Sequence, residues 1–205
     1  MKKDKKVGII GGTFNPIHIG HLILAERAYE DFALDEILFI PTGISYFKDP
    51  ATVLDSKMRI TMTGEAIGEN PHFALSTIET DRPGNSYTYE TLEELKKHNP
   101  DTHYYLIVGA DSLFQIEQWK NPESIMKNAV ILVTTREDQG VEAVTKKINE
   151  LMEKYHSDIR LLTCPNIDVS STCIRERVRT GKSIHYLVAE CTENFILKHN
   201  LYKDE

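Results

Sequence analysis

Short apolar runs alternate with segments whose apolar positions recur at helical spacing, from Lys6 to the C-terminal region. That alternation predicts an α/β domain, with strands from the continuous runs and helices from the i, i+3, i+4 patterns. A sheet built this way is largely parallel, because each passage from strand to strand carries a helix. KVGII (6–10), EILFIP (36–41), HFALSTIE (72–79), HYYLIVGA (103–110), AVILVTT (129–135) and IRLLTC (159–164) read as strands. LILAERAYEDFA (22–33), LDSKMRITMTGEAIGE (54–69), TYETLEELKKHN (88–99) and VEAVTKKINELMEKYH (141–156) read as helices, and two more begin near 171 and 187. Pro41 with Gly43 ends the second strand. The 88–99 helix carries Lys96, Lys97 and His98 in its last turn and stops before Pro100, which suits the negative end of the helix dipole. A single domain over 1–205 with a small helical part at the C-terminal end is the expected organisation, since no Pro/Gly/Ser-rich linker divides the chain.

Composition narrows the function classes. A formal net charge of -7 argues against a general nucleic-acid binder, so any basic residues that matter must be focused on a local site. The basic start MKKDKK is followed by the apolar run VGII, which is too short for an export segment, and no long apolar run occurs elsewhere. A cytoplasmic protein with no membrane span is expected. Cys164, Cys173 and Cys191 form no CxxC pair and read as reduced structural thiols.

The densest chemical signal is GGTFNPIHIGHL, residues 11–22. In α/β folds, ligands bind where the carboxyl ends of strands meet helix N-termini, and this stretch lies at the first such crossing. Gly11 and Gly12 would let the chain turn and bring bare amides close to a ligand. Asn15 before Pro16 is biased to extended backbone, so the helix starts only after it. His18 and His21, three apart, then fall on the same side of the first turn. A helix N-terminus attracts anions and repels protonated imidazoles, so the pair makes electrostatic sense around a polyphosphate, donating hydrogen bonds to charge developing at phosphorus. A zinc pair and a surface accident are the alternatives, although no third Cys, His or carboxylate stands at suggestive spacing. The stretch ends in neither Gly-Lys-Ser/Thr nor GxGxxG, and TGKS at 180–183 follows a helix and reads as its C-cap.

GGTFNPIHIGH resembles the GGTFxPxHxGH signature of the HxGH nucleotidyltransferases, and the chain is most similar to the bacterial nicotinate mononucleotide adenylyltransferases over nearly its whole length. The resemblance implies a Rossmann-like, doubly wound, mainly parallel sheet with helices on both faces. It also implies ATP contacts from Gly11, Gly12, Thr13, Phe14 and Gly20. DVSSTCIRERV (168–178) places the N-cap residues Ser170 and Ser171 ahead of Arg175, a cation in a first turn where the dipole opposes it. An anion would remove that discord, gripped by Arg175 with the Ser171 and Thr172 hydroxyls; an ordinary capped helix is the alternative. This element resembles the family's SSTxxR signature on the triphosphate side. At the end of the 103–110 strand, Gly109 leaves room for a nucleotide and Asp111 could accept ribose hydroxyls, hold a magnesium water or simply cap the next helix.

By the same resemblance Trp119, beside Lys120 and Asn121, would stack on the pyridine ring, and Ser86, Tyr87 and Thr88 would face the mononucleotide. Arg136 follows a strand, where reaching the mononucleotide phosphate and lying solvated are equally open. Lys48 lies in PTGISYFKDP (41–50), where relatives have Pro-Pro-His-Lys, so the lysine alone carries over, to neutralise triphosphate or to remain a solvated loop lysine. Asn15 stands where the signature commonly has Asp. Arg59 matches a family arginine, and a surface salt bridge explains it as well.

The implied activity is adenylyl transfer from ATP to nicotinate mononucleotide, giving nicotinate adenine dinucleotide and pyrophosphate in NAD biosynthesis. His18, His21, Lys48 and Arg175 are the expected catalytic residues. Magnesium is expected with the ATP phosphates and no protein metal site. No nucleic-acid or membrane partner is expected, and a homo-oligomer is left open. Rivals are a sister enzyme with another phosphate acceptor, such as nicotinamide mononucleotide, and a non-catalytic nucleotide sensor.

Overall fold

The structure, a computed structural model, describes residues 4–45, 52–136, 141–165 and 167–203. Its strands are β1 (Lys6–Gly12), β2 (Glu36–Pro41), β3 (Ile44–Ser45), β4 (Phe73–Leu75), β5 (Asn85–Ser86), β6 (His103–Gly109), β7 (Ala129–Arg136) and β8 (Ile159–Cys164). The helices are α1 (Ile19–Asp31), α2 (Ser56–Ile67), α3 (Thr88–His98), α4 (Ala110–Gln115), α5 (Pro122–Asn128), α6 (Val141–Tyr155), α7 (Ser171–Arg179) and α8 (Glu190–Lys198). A six-stranded sheet has the order β4-β2-β1-β6-β7-β8, and β3 pairs with β5 in a separate two-stranded ribbon. β1, β6, β7 and β8 pair in parallel, with Val7 opposite Tyr104, Val108 opposite Val133 and Thr134 opposite Leu162. The chain clusters into two compact units. One comprises Met1–Ile10, Ala25–Leu38 and Tyr87–Asn166; the other comprises Gly11–Leu24, Phe39–Ser86 and Ile167–Glu205.

In the first unit the apolar runs explain the strands. Tyr104 to Val108 are all buried, as a parallel strand covered on both faces requires, whereas β8 at the sheet edge leaves Arg160, Leu161 and Thr163 exposed. α6 buries Val144, Ile148 and Leu151, one face at helical spacing. Gly8 is dictated by packing, since a Cβ there would stand 2.5 Å from Ile37 Cδ1 and 2.9 Å from Leu34 Cδ1.

In the second unit α2 packs on α8 around Met62, Ile174, Ile184, Val188, Ile196, Leu201 and Tyr202. α2 is capped by Asp55, whose carboxylate accepts the Lys57 amide at 2.9 Å. The 72–79 strand contracts to Phe73–Leu75 because hydroxyls beyond it take the backbone: Ser76 Oγ accepts the Ile78 amide and Thr80 Oγ1 donates to the Thr77 carbonyl. α8 starts at Glu190, later than expected, after a turn in which the Leu187 amide bonds the Ile184 carbonyl. β3, β5, α5 and the 3-10 turn Ile116–Gln118 were not foreseen, since elements this short carry no periodicity.

Candidate active site

β1 does not stop at Ile10. It runs through Gly11 and Gly12, so these glycines are strand residues and not the sharp turn expected of them. The reversal comes at Phe14, in left-handed backbone with φ 48°. Gly12 makes room for that residue, because a Cβ there would lie 3.0 Å from the Phe14 ring, whereas a Cβ on Gly11 would meet nothing within 4 Å. The Thr13 carbonyl is taken by Arg59, and Phe14 sets its ring edge-on to His21 with centroids 5.0 Å apart.

α1 begins at Ile19, earlier than the apolar pattern suggested, which puts His18 at the position just before its first residue. The His21 amide bonds the His18 carbonyl at 2.9 Å, and His21 Nδ1 accepts the His18 amide at 3.2 Å. His21 therefore fills the position of the Glu or Gln in a capping box. With Nδ1 accepting, the hydrogen of the neutral ring sits on Nε2, where it can be donated. The His18 and His21 rings stack with centroids 3.7 Å apart and planes inclined by 29°. His18 is 8 % exposed, its buried Nδ1 has no partner among the described residues, and burial lowers its pKa to about 4. A neutral His18 can lie against its neighbour without charge repulsion. Gly20 is required by the same stack, since a Cβ there would stand 3.0 Å from His18 Nδ1. The bare amides anticipated at this helix end are partly taken: Ile19 donates to the Leu187 carbonyl and His21 to His18. Attraction for an anion rests there on the dipole and the imidazoles.

α7 comes to the same loop. Ser170 caps it by accepting the Cys173 amide at 3.1 Å. Ser171 Oγ donates to the Pro16 carbonyl at 2.8 Å, and Arg175 Nη1 donates to the Asn15 carbonyl at 2.9 Å. Arg175 Nη2 also donates to Thr172 Oγ1 at 3.3 Å, which leaves the Thr172 hydrogen for an anion. Ser171, by contrast, has spent its hydrogen on the protein and does not offer an anion the hydroxyl donor expected of it. Glycine at 181, with φ 69°, follows the C-cap Thr180, so TGKS is a helix end as read from sequence.

Arg59 and Asn15 organise the ground beneath. Arg59 is 2 % exposed, so the surface salt bridge is excluded. Its Nε donates to the Leu54 carbonyl, Nη1 to Thr13 and Nη2 to Thr42, at 2.9, 2.7 and 2.8 Å. Burial depresses its pKa, opposed by the neighbouring Asp55 carboxylate. Asn15 is 3 % exposed; its Nδ2 donates to the Thr52 carbonyl and its Oδ1 accepts from the Leu54 amide and Tyr202 Oη. A cavity of about 430 Å³ within this unit is lined by Thr13, Gly43, Leu54, Arg59, Thr80 and Arg82. Ser86 Oγ accepts the Gly43 amide at 3.2 Å, so this predicted substrate contact also holds the β2 exit. Sequence reasoning missed Tyr202 altogether and the anchoring of Asn15, because neither has a local pattern.

The other expected residues, Lys48 apart, belong to the first unit. Tyr87 is the N-cap of α3 without a side-chain cap bond, and Thr88 is its first residue. Trp119 is half-buried at the end of the Ile116–Gln118 turn, next to Lys120, whose Nζ lies 4.1 Å from the Tyr87 ring centroid. Glu117 ties that turn to α6 through Lys147 and Lys154, whose hydrogen bonds hold its pKa down to about 2. Gly109 is the N-cap of α4 and Asp111 lies inside its first turn, so Asp111 is not the cap. Arg136 is the last residue of β7, within the strand, opposite Cys164; its side chain lies outside the described residues. Lys48 also lies outside them. Among the described residues no group of three His, Cys, Asp or Glu could hold a metal ion, and no helix is long and apolar enough to cross a membrane.

With this geometry in hand, similarity to known proteins is specific. The cytidylyltransferase-like family profile matches residues 9–177. The chain is 46 % identical over 97 % of its length, and 99 % of the relative's, to a Lachnoclostridium phytofermentans protein named "probable nicotinate-nucleotide adenylyltransferase". A Thermoanaerobacter protein of the same name is 39 % identical over 100 % of this chain and 98 % of its own. Among solved structures, a Plasmodium falciparum nicotinic acid mononucleotide adenylyltransferase complexed with NaAD superposes with a TM-score of 0.80 at 20 % identity, covering 98 % of both chains. That superposition places the fold in the Rossmann-like class expected from the sequence.

Proposed function

The chain belongs to the cytidylyltransferase-like family, among its nicotinate-nucleotide adenylyltransferases, and from that premise we propose how it joins nicotinate mononucleotide to ATP. The products are nicotinate adenine dinucleotide and pyrophosphate. The observation that carries the reading is the loop 13–18 with the helix start that follows it: His18 at the loop's end stacks on His21 in α1, and the Asn15 and Pro16 carbonyls of the loop receive Arg175 and Ser171 from α7.

In this reading a phosphate oxygen of the mononucleotide attacks the α-phosphorus of ATP in line. A new P–O–P bridge forms, the bond to the β-phosphate oxygen breaks, and the pair of electrons leaves on pyrophosphate. The nucleophile is already anionic near neutral pH, so no general base is needed. His21 donates from Nε2, its tautomer set by the His18 amide, and Arg175 meets the growing negative charge with the Thr172 hydroxyl beside it. His18 serves as a neutral donor, consistent with its burial. Such catalysis is placement and preorganised electrostatics, with no covalent intermediate. The imidazole, guanidinium and hydroxyl set suits phosphate oxygens and not a cation, so magnesium would be held by the triphosphate, where it would neutralise charge on the leaving group. Lys48 would add charge on the same side. Gly11, Gly12, Gly20, Gly109 and Asp111 are assigned to ATP. Trp119, Tyr87, Thr88, Ser86 and Arg136 are assigned to the mononucleotide by resemblance. The site of action is the cytoplasm.

Pyrophosphate release measured with nicotinate mononucleotide, nicotinamide mononucleotide, phosphopantetheine and glycerol phosphate tests the reading. The acid mononucleotide should give the highest kcat/KM. Preference for another acceptor would reassign the enzyme, and ATP binding with no pyrophosphate from any acceptor would make it a sensor.

A further inference from the structure

The C-terminal tail carries a side chain that the chemistry above leaves without a role. Beyond α8 the backbone passes through left-handed conformations at Asn200 (φ 51°) and Tyr202 (φ 63°), which a bulky residue adopts only when its surroundings compel it. The outcome is burial of the Tyr202 ring, 4 % exposed, against Met62, Ile174 and Ile196. The Leu201 amide fastens the tail to the Ile196 carbonyl at 3.0 Å. From there Tyr202 Oη donates to Asn15 Oδ1 at 3.0 Å, across 187 positions of sequence.

Asn15 is a junction. Its Nδ2 is held by the Thr52 carbonyl at 3.2 Å, its Oδ1 receives the Leu54 amide at a longer 3.4 Å, and its own carbonyl accepts Arg175 Nη1 at 2.9 Å. The side-chain bonds fix where the Asn15 backbone sits, and the carbonyl bond fixes one edge of the guanidinium. Of the two donors to Oδ1, the Tyr202 hydroxyl makes the shorter bond. We propose that Tyr202 is a positioning residue for adenylyl transfer, acting through Asn15 on the aim of Arg175.

This inference rests on the functional reading above, in which Arg175 meets charge that develops on the leaving pyrophosphate. An interaction of that kind lowers kcat when it is misaligned and leaves ground-state ATP binding nearly untouched. Tyr202→Phe keeps the ring and removes the hydroxyl. It is expected to lower kcat about fivefold, with KM for ATP within about twofold and the melting temperature nearly unchanged. In an Arg175→Ala background the same substitution should lower kcat no further, because the group it positions is gone. Asn15→Leu, which removes the acceptor, gives a second route to the same comparison if Tyr202→Phe does not fold. Full kcat in Tyr202→Phe, or an equal loss with and without Arg175, overturns the proposal while leaving the functional reading standing. A wild-type chain that releases no pyrophosphate from ATP and nicotinate mononucleotide overturns both.

Discussion

At the scale of single residues, the two histidines differ in what the fold does to them: burial keeps His18 neutral and a hydrogen bond sets the His21 tautomer. His18 is buried and titrates near 4 in the fold against 6.5 outside it, so the unfolded chain binds a proton that the folded one refuses. Its contribution to stability is complete above about pH 6.5 and declines as pH falls toward 4, by up to about 3 kcal/mol. A His18→Gln variant lacks this titration. The fall in unfolding free energy between pH 7 and pH 4.5 should therefore be shallower in the variant than in the wild type, as measured by urea titration. Parallel declines would show that His18 is not held neutral. His21 combines a cap with a donor. His21→Ala should cost about 1 kcal/mol in stability through the lost bond to the His18 amide. The same change should cut turnover by about a hundredfold or more through the lost Nε2 donor. Near-normal pyrophosphate release in that variant would remove His21 from the chemistry.

At the scale of elements, the exits of β1 and β2 and the start of α2 are joined by one guanidinium. Arg59 satisfies carbonyls of Thr13, Thr42 and Leu54 that would otherwise be buried without donors. Arg59→Met retains much of the volume and loses every donor. It should destabilise the protein by about 3 kcal/mol or more, read as a shift in denaturation midpoint. Arg59→Lys should recover part of this, since an ammonium reaches fewer of the three carbonyls than a planar fork does. A midpoint within experimental error of wild type for Arg59→Met would mean that the carbonyls find other partners.

At the scale of the whole molecule, a net charge of -7 coexists with the proposed polyphosphate site, so its positive charge must act locally. Arg175 supplies the charge at the start of α7, with the neutral His21 ring as a hydrogen-bond donor at the start of α1, and long-range attraction contributes little. The chain should accordingly show no retention of duplex DNA at 0.15 M salt in a mobility-shift titration, and micromolar binding there would contradict this. ATP, at a hundredfold excess over its dissociation constant, should raise unfolding free energy by about 2.7 kcal/mol.

What the sequence determined by itself was local. Apolar runs named the buried strands, helical spacing named α2, α3 and α6, and the contiguous GGTFNPIHIGH stretch with SSTCIR pointed to the family, because those signals depend on neighbours a few residues apart. The α7 start at Ser171 was legible for the same reason, through its caps. Tertiary structure alone decided that Gly11 and Gly12 continue a strand, that 72–79 forms only a short one, and that Arg59 is buried. It also decided that Arg175 grips Asn15, and that Tyr202 does too. Those outcomes turn on hydrogen bonds and packing between residues up to 187 positions apart, and no pattern along the chain encodes which distant carbonyl a donor will meet.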